Sequence, residues 1–343
     1  MSTDFFQRQD RARSSTKRWV GAFFLALIAI AFVLHAVFAV VRMFLTPEDE
    51  PSRPFIECFL DGTVMSVTFI FTFLIIGSAS LIKIFKLRKG GPVIAKMMGA
   101  TPVSPDTRDA GERRLLNVVE EMAIASGVKM PGVYVMSDEN SLNAFAAGYA
   151  PESAIVAVTR GLLNTLNRDE LQAVVGHEFS HILNGDMRIN IRLVGILYGI
   201  FVISILGLWT MRLAASSSGG RKKDGRAALV MIVIGLSVWV VGSIGVFCGR
   251  LIQAAISRKR EYLADASAVQ FTRNPQALAN ALVLVATGPA KLETTHASEV
   301  AHMLFASAFA SHPPILERIH ACDPTFDGNL AAARERLLRN RIQ

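Results

Sequence analysis

The sequence predicts an α-helical membrane protein with four hydrophobic helices and a second, mostly helical part that contains a small sheet. Two observations carry this prediction. Hydrophobic residues make up 51% of the 343 positions and charged residues only 19%, whereas soluble domains contain about 25% charged residues. The apolar residues are also concentrated in four runs, each about long enough to cross a bilayer as a helix.

Charge and cysteine content exclude two other classes of protein. The net charge of +8 does not indicate nucleic-acid binding, because lysines and arginines gather beside the apolar runs, as they do in membrane proteins. We therefore expect no nucleic-acid partner. Cys58, Cys248 and Cys322 lie far apart, so neither a disulfide framework nor a cysteine-based zinc cluster is available. Any metal site must use histidines and carboxylates.

The first two apolar runs predict two membrane crossings. Residues 1–18 form a polar, basic tail, and residues 19–41 form the first membrane helix, which is too long for a cleavable signal peptide. Residues 42–62 form a loop that is acidic on balance, and residues 63–82 form the second helix, which a cluster of lysines and arginines follows. The positive-inside rule then predicts a cytoplasmic N-terminus, an extracytoplasmic loop and a return to the cytoplasm.

Residues 83–190 predict the first part of an aqueous domain. A helical pattern covers residues 113–126, and three short β-type runs follow at 132–136, 143–147 and 154–159. Glycine, proline, asparagine and aspartate separate these runs, so we expect a small sheet.

The third and fourth apolar runs predict a helical hairpin. Residues 193–211 and 227–247 form membrane helices 3 and 4, and the basic loop 212–226 joins them. If both helices cross completely, the loop lies outside and its positive charges contradict the positive-inside rule. A hairpin that enters the bilayer without crossing it is the open alternative. Residues 250–343 then predict the second part of the aqueous domain.

The sharpest chemical signal is the spacing of His177, Glu178 and His181 on a predicted helix that Asn167 or Asp169 can cap. Two histidines four apart face the same way and can share one Zn²⁺ ion. Glu178 then lies beside the metal-bound water and can take its proton, which generates a nucleophile for a peptide carbonyl. The alternative is a surface helix that carries two histidines by chance.

A catalytic zinc site usually has a third protein ligand. Glu261 is the candidate, although an ion pair with Arg258 or Arg260 is the alternative for its carboxylate. Ligating histidines donate their second ring N–H to a carboxylate or carbonyl, so Asp265 and Asp186 are candidates for that supporting contact. Asp265 could equally pair with a neighbouring arginine.

The strand Asn143, Ala144, Phe145 and Ala146 is a candidate substrate-binding segment. A protease holds its substrate extended, and an exposed sheet edge supplies main-chain hydrogen bonds without demanding a sequence. A plain core strand is the alternative interpretation.

His312 is a candidate catalytic residue. Two prolines follow it and would stiffen its loop, so it could stabilise an oxyanion, with Arg318 assisting. Equally, Glu317 could hold His312, or the histidine could cap a helix.

Taken together, these motifs resemble the HtpX-type membrane metalloproteases, which are related to the CAAX prenyl proteases. The resemblance covers roughly residues 110–320 and, more loosely, the two N-terminal apolar runs. The motifs that carry it are His177-Glu-Phe-Ser-His181 with Asn184-Gly-Asp186, Arg260-Glu-Tyr-Leu-Ala-Asp265, Asn143-Ala-Phe-Ala146, and Ser311-His-Pro-Pro314 with Glu317-Arg-Ile319.

The resemblance implies His177, His181 and Glu261 as zinc ligands, and Glu178 as catalytic base, in an active site on the cytoplasmic side. It also implies an endopeptidase that helps to clear damaged or misassembled membrane proteins. The polar N-terminal tail, the longer first outside loop and the C-terminal tail from Asp323 onward depart from the shorter members of the family. These departures bear on the physiological role more than on the chemistry.

The full prediction is an α-helical membrane protein (four hydrophobic helices) with a mostly α, minor β cytoplasmic zinc-metallopeptidase domain of the gluzincin-like type. We expect it in the inner (plasma) membrane, with one Zn²⁺ per chain, protein or peptide substrates and contact with the lipid bilayer. The alternative is a non-catalytic scaffold or chaperone-like protein with a structural zinc ion. Glu178 argues against it, because a structural site has no use for an unligated acid beside the metal.

Overall fold

The computed structural model describes residues 2–45, 54–88, 90–217, 225–289 and 313–341. Most of these residues are helical, and the strands form one four-stranded sheet. The predicted combination of long apolar helices with a small sheet is therefore confirmed.

The chain divides into two compact units. The apolar-helix unit comprises Thr16–Lys86 and Arg192–Gln253, and the sheet unit comprises Met1–Ser15, Leu87–Ile191 and Ala254–Gln343. The sheet unit therefore takes residues from both sides of the third and fourth apolar runs.

Four long helices carry the apolar runs. They are α1 (Ser2–Leu45), α3 (Gly62–Leu87), α8 (Asp186–Ser217) and α9 (Gly225–Thr272), and the short helix α2 (Phe55–Leu60) precedes α3. Each long helix contains a segment that is long and apolar enough to cross a membrane. These segments are Gly21–Met43, Gly62–Leu87, Asp186–Ser216 and Ala228–Thr272.

Helix α9 differs from the sequence-based expectation because it is a single helix of 48 residues. The sequence suggests that a membrane helix ends near residue 247 and that a separate aqueous segment begins near residue 250. No proline or polar turn interrupts this stretch, so the backbone hydrogen bonds of the helix continue without a break. The helix that begins in the fourth apolar run therefore also carries Glu261 and Asp265.

Helices α8 and α9 pack closely through glycines. A Cβ atom at Gly207 would collide with the backbone nitrogen of Trp239, and one at Gly242 would collide with the backbone of Ser204. The hydroxyl oxygens of Ser204 and Ser243 also lie 2.9 Å apart and share a hydrogen bond. Small residues let helix backbones approach in a membrane, so this packing suits two neighbouring helices of one hairpin.

The sheet unit contains the remaining elements. The predicted β-type runs are confirmed as strands, each to within one residue. The elements are α4 (Gly91–Met97), β1 (Thr101–Pro102), α5 (Ala110–Ser126), β2 (Gly132–Met136), β3 (Ala144–Ala147), β4 (Ile155–Thr159), α6 (Arg160–Thr165), α7 (Arg168–Leu183), α10 (Pro275–Thr287), α11 (Ile315–Cys322) and α12 (Leu330–Arg339).

The strand order of the sheet is β1-β2-β4-β3. Strands β2 and β4 are parallel, whereas β3 runs antiparallel to β4 and, among the described residues, pairs with no other strand. Every residue of β4 is buried. Ile155 packs in a cluster with Ile94 of α4, while Val156 packs in the main core with Val118 of α5 and Val174 of α7. Helices therefore cover both faces of the sheet, and β3 forms one edge.

Local sequence signals explain where the main helices of this unit begin. The Asn167 side chain accepts a hydrogen bond from the Glu170 N–H, and the Glu170 carboxylate accepts one from the Asn167 N–H, each at 2.9 Å. This reciprocal capping box makes Asn167, rather than Asp169, the residue that caps α7. Asp109 likewise caps α5 by accepting from the Glu112 N–H.

Candidate active site

Helix α7 carries three of the predicted site residues inside the sheet unit. It packs on α5, α10 and β3, and His177 and Glu178 are only 1% and 2% exposed. The His181 side chain is more open, at 17%. Since residues four apart lie on one helical face, the two rings meet edge to face and their Nε2 atoms are 3.1 Å apart.

Glu261 reaches the same point from α9. Its Oε2 atom lies 3.4 Å from the His177 Nε2 atom, and its Oε1 atom lies 3.7 Å from the His181 Nε2 atom. Among the described residues, this is the group of histidine, cysteine and acidic side chains whose spacing could hold a metal ion. The tertiary structure thus brings together residues that are 80 positions apart in sequence.

The donor set fits a single zinc ion. Two imidazole nitrogens and a carboxylate are ligands that zinc accepts, at bond lengths of about 2.0–2.2 Å. A tetrahedron with such bonds has edges of about 3.3–3.6 Å, and the three donor separations of 3.1, 3.4 and 3.7 Å lie around that range. The fit leaves a fourth position for water or substrate.

Each histidine ring contacts a carboxylate through its Nδ1 atom. The His177 Nδ1 atom lies 2.9 Å from an oxygen of Asp265, and the His181 Nδ1 atom lies 2.8 Å from an oxygen of Asp186. A hydrogen bond from each Nδ1–H fixes the tautomer and leaves the Nε2 lone pair free for a metal. The structure therefore brings both predicted aspartates to the two histidines.

Each of the two aspartates also contacts an arginine, and Arg318 is buried whereas Arg260 is 11% exposed. The Nε and Nη2 atoms of Arg318 each donate to Asp265 at 2.8 Å. Arg260 donates to Asp186 instead of forming the ion pair with Glu261 that the sequence offered as an alternative. Asp265 makes both of its predicted kinds of contact at once, with a histidine and with an arginine.

The sequence interpretation missed these roles of the two arginines, although it contained a signal for Arg318. One face of a helix carries residues spaced at i, i+3, i+4 and i+7, and this spacing is followed by Ile315, Arg318, Ile319 and Cys322. A charged residue on an otherwise apolar face is a sign of a buried, paired side chain. For Arg260, whose partner precedes it by 74 positions, no local signal existed.

Burial and neighbouring charge determine the pKa values on α7 in the absence of a metal ion. Burial raises the pKa of the Glu178 carboxyl, and the charges of His181 and His177 oppose that rise only in part. Burial acts against a charged His177, but hydrogen bonds to Asp265 and Glu261 outweigh it and raise the His177 pKa to about 9. Burial and the charge of His177 lower the pKa of His181.

The edge strand β3 faces the catalytic helix. The backbone N–H of Ala146 donates to Oε2 of Glu178 at 2.7 Å, so this N–H points away from β4 and towards α7. Asn143 directly precedes the strand and accepts hydrogen bonds from the Thr159 N–H and from the Ala144 N–H. Asn143, Ala144, Phe145 and Ala146 are all buried, whereas the sequence suggested an exposed edge, because α4 and α7 pack against the strand.

His312 lies outside the described residues, and its catalytic role stays a prediction. Glu317, which the sequence offered as a partner for His312, accepts a hydrogen bond from the Tyr262 hydroxyl at 2.5 Å.

A helix with two histidines and a glutamate, a carboxylate from a later helix and an adjoining sheet edge define a protein of the metallopeptidase class. A family model described as peptidase family M48 matches residues 109–325. The chain belongs to this family. It is therefore a metalloprotease that hydrolyses peptide bonds, which decides against a non-catalytic scaffold.

Curated relatives are similar over most of their length. A Protease HtpX homolog of Streptococcus pyogenes serotype M28 is 42% identical over 59% of this chain and 70% of the relative. Homologs named in the same way from Thermoanaerobacter pseudethanolicus and Listeria monocytogenes serotype 4b are 37% and 42% identical, over 65% and 60% of this chain and 74% and 71% of theirs.

A solved structure, Ste24p of S. mikatae, is similar with a TM-score of 0.41 and 18% identity, over 94% of this chain and 89% of that chain. The HtpX relatives, together with the four apolar helices, identify the chain as a multi-pass membrane protein.

Proposed function

We propose that the chain is a membrane-embedded, zinc-dependent endopeptidase in which His177, His181 and Glu261 hold one zinc ion and Glu178 is the general base. The observation that carries this proposal is the triangle of donor atoms, with sides of 3.1, 3.4 and 3.7 Å, on two helices beside Glu178. A zinc ion held there would supply Lewis-acid chemistry, polarising the scissile carbonyl and acidifying a water molecule.

Glu178 takes the proton of the attacking water and passes it to the leaving amine. Its buried position and raised pKa support this role, because a carboxylate with a raised pKa is a stronger base. The hydrogen bond from the Ala146 N–H holds Glu178 at the outer edge of β3, where the scissile bond must lie.

The substrate lies extended along the outer edge of β3. The outward direction of the Ala146 N–H supports this proposal, because strand addition needs main-chain groups that point away from the sheet. Main-chain hydrogen bonds along a strand place few demands on the side chains of the substrate, so recognition tolerates many sequences. Such tolerance suits the clearance of damaged or misfolded membrane proteins, which reach the enzyme in the same bilayer.

In the topology that we propose, residues 19–41, 63–82, 193–211 and 227–247 form the membrane helices. The metalloprotease domain, 83–190 with 250–343, then lies in the cytoplasm and the protein in the inner (plasma) membrane. The lysines and arginines that follow the second apolar run support this orientation.

Labelling with a membrane-impermeant thiol reagent in a variant without native cysteines tests this orientation. A cysteine at Ser52 is expected to react from outside, and one at Ser104 is expected not to react. A cysteine at Ser218 reacts from outside if the hairpin crosses completely, and does not if it only enters the bilayer. Reaction of the Ser104 position from outside would contradict the orientation.

Two measurements on detergent-purified protein test the catalytic proposal. They are the metal content and the rate of cleavage of a model protein substrate. One zinc ion per chain is expected in the wild type and in Glu178→Gln, with cleavage by the wild type alone. Glu261→Gln is expected to retain less zinc, because it replaces a charged ligand by a neutral amide. If Glu178→Gln cleaved as fast as the wild type, Glu178 would not be the base.

A further inference from the structure

Asp186 connects the histidine that is more open to solvent to an arginine of another helix. One oxygen of Asp186 accepts from the Nδ1 atom of His181 at 2.8 Å, and its other oxygen accepts from Arg260. The side chains of Asp186 and Arg260 are only 4% and 11% exposed. Asp186 is the first residue of α8, and Arg260 directly precedes Glu261 on α9.

The arginine offsets the cost of burying this carboxylate. A buried carboxylate without a cationic partner is unfavourable and moves towards water. Such a movement weakens the hydrogen bond that orients His181. His181 depends on its hydrogen bond to Asp186 more than His177 depends on its hydrogen bond to Asp265. The reason is that the His181 side chain is 17% exposed, whereas that of His177 is 1% exposed and more enclosed by neighbours.

We infer that Arg260 is a positioning residue of the metal site, which acts through Asp186 on the ring of His181. The inference rests on the ligand role proposed for His181. The same contact joins the first residue of α8 to the residue beside Glu261, so it also holds the His181 and Glu261 donors at a fixed separation. Arg260 touches neither substrate nor metal, and its effect is on metal affinity.

We test this inference by measuring the zinc affinity of the full-length, detergent-purified protein. The measurement uses competition with a chromogenic chelator. Arg260→Gln is expected to bind zinc about 10–100-fold more weakly, the loss typical when a supporting contact of a ligand is removed. Arg260→Lys is expected to recover part of the affinity, since it keeps the charge but not the guanidinium geometry. Arg258→Gln is the matched control, because Arg258 is exposed on the same helix, and we expect no change.

A double-mutant cycle with Asp186→Asn separates positioning from general destabilisation. If Arg260 acts through Asp186, Arg260→Gln adds little further loss of zinc affinity in the Asp186→Asn background. Wild-type affinity in Arg260→Gln, or fully additive losses in the double variant, would overturn the inference. If Arg260→Gln fails to fold, the same cycle is run with Arg260→Lys.

A separate variant, His181→Gln, distinguishes failure of the proposed function from failure of the role proposed for Arg260. His181→Gln is expected to lose zinc, and its retention of zinc at wild-type affinity would refute the ligand assignment itself. Loss of zinc in His181→Gln, together with wild-type affinity in Arg260→Gln, would refute only the role of Arg260.

Discussion

The two histidines of α7 lie four residues apart, yet they are held in different ways. His177 is enclosed by the core, and its partner Asp265 receives two hydrogen bonds from the fully buried Arg318. His181 is more open, and its orientation depends on Asp186, which Arg260 contacts at the junction of α8 and α9. The same local motif thus relies on packing at one histidine and on a chain of hydrogen bonds at the other.

The two supporting arginines also come from different parts of the chain. Arg318 lies on α11, a short helix near the C-terminus, whereas Arg260 lies on the long helix that begins in the fourth apolar run. The His177 side therefore depends on the docking of the C-terminal segment. The His181 side depends on helices that continue from the apolar runs.

Removal of the metal acts on both sides of the site at once and has the largest expected effect. Dialysis against a chelator is expected to abolish cleavage of a model protein substrate, and added Zn²⁺ is expected to restore it, because the ion supplies the Lewis acid. A chelator already saturated with zinc is the control. The metal-free protein is also expected to unfold at a lower temperature, because the ion binds only the folded form. Full cleavage by zinc-free protein would contradict the proposed chemistry.

The His177 side is expected to contribute more to stability than the His181 side. Arg318→Gln leaves a buried carboxylate without its partner and is expected to destabilise the protein by about 3–5 kcal/mol. Arg260→Gln is expected to cost less, because its pair is closer to solvent. Thermal unfolding of the metal-free variants measures the difference.

Arg336→Gln serves as the matched control for Arg318→Gln. It removes an exposed pair with Asp327, whose atoms lie 3.5 Å apart, and its expected cost is about 0–1 kcal/mol. Equal losses of stability in Arg318→Gln and Arg336→Gln would contradict the buried role of Arg318.

Thr159 supports β3, the strand along which we propose that the substrate binds. Its hydroxyl donates to the Ser141 carbonyl at 2.5 Å and accepts from the Asn143 N–H at 3.1 Å. Thr159→Val removes these hydrogen bonds from buried groups, at an expected cost of about 1–3 kcal/mol, and we expect KM to rise as β3 loosens. Thr101→Val removes an exposed hydroxyl of the same sheet and is expected to change neither quantity measurably. An unchanged KM in Thr159→Val would argue against β3 as the substrate strand.

The smallest expected effect is at the cap of α7. Asn167→Ala removes the side-chain hydrogen bond to the Glu170 N–H and is expected to cost about 1 kcal/mol of stability. Asn329→Ala removes the equivalent cap of α12, far along the chain from the motif, with a similar cost. Only Asn167→Ala is expected to lower zinc affinity as well, and equal zinc affinity in both variants would show that fraying of α7 does not reach the metal ligands.

Much of the site could be predicted from local spacing. The period of the α-helix places His177 and His181 on one face whatever surrounds them. The short strands and the start of α7 follow equally local signals, and the structure has them where the sequence predicts them.

The continuity of α9 and the burial of β3 could not be predicted in this way. Both depend on what packs against a segment, and a short apolar run reads the same at an exposed edge as under a helix.

The sequence by itself determined the four apolar runs, the histidine pair with its glutamate, and the membership in a family of membrane metalloproteases. Only the tertiary structure decided that Asp265 and Arg318 support His177 while Asp186 and Arg260 support His181. The physical reason is the range of the interactions involved. Helix periodicity and capping act within a few residues, and the contact of His181 with Asp186 spans only five. The other three contacts span 53 to 88 positions and exist only once the core has packed and excluded water from the charges.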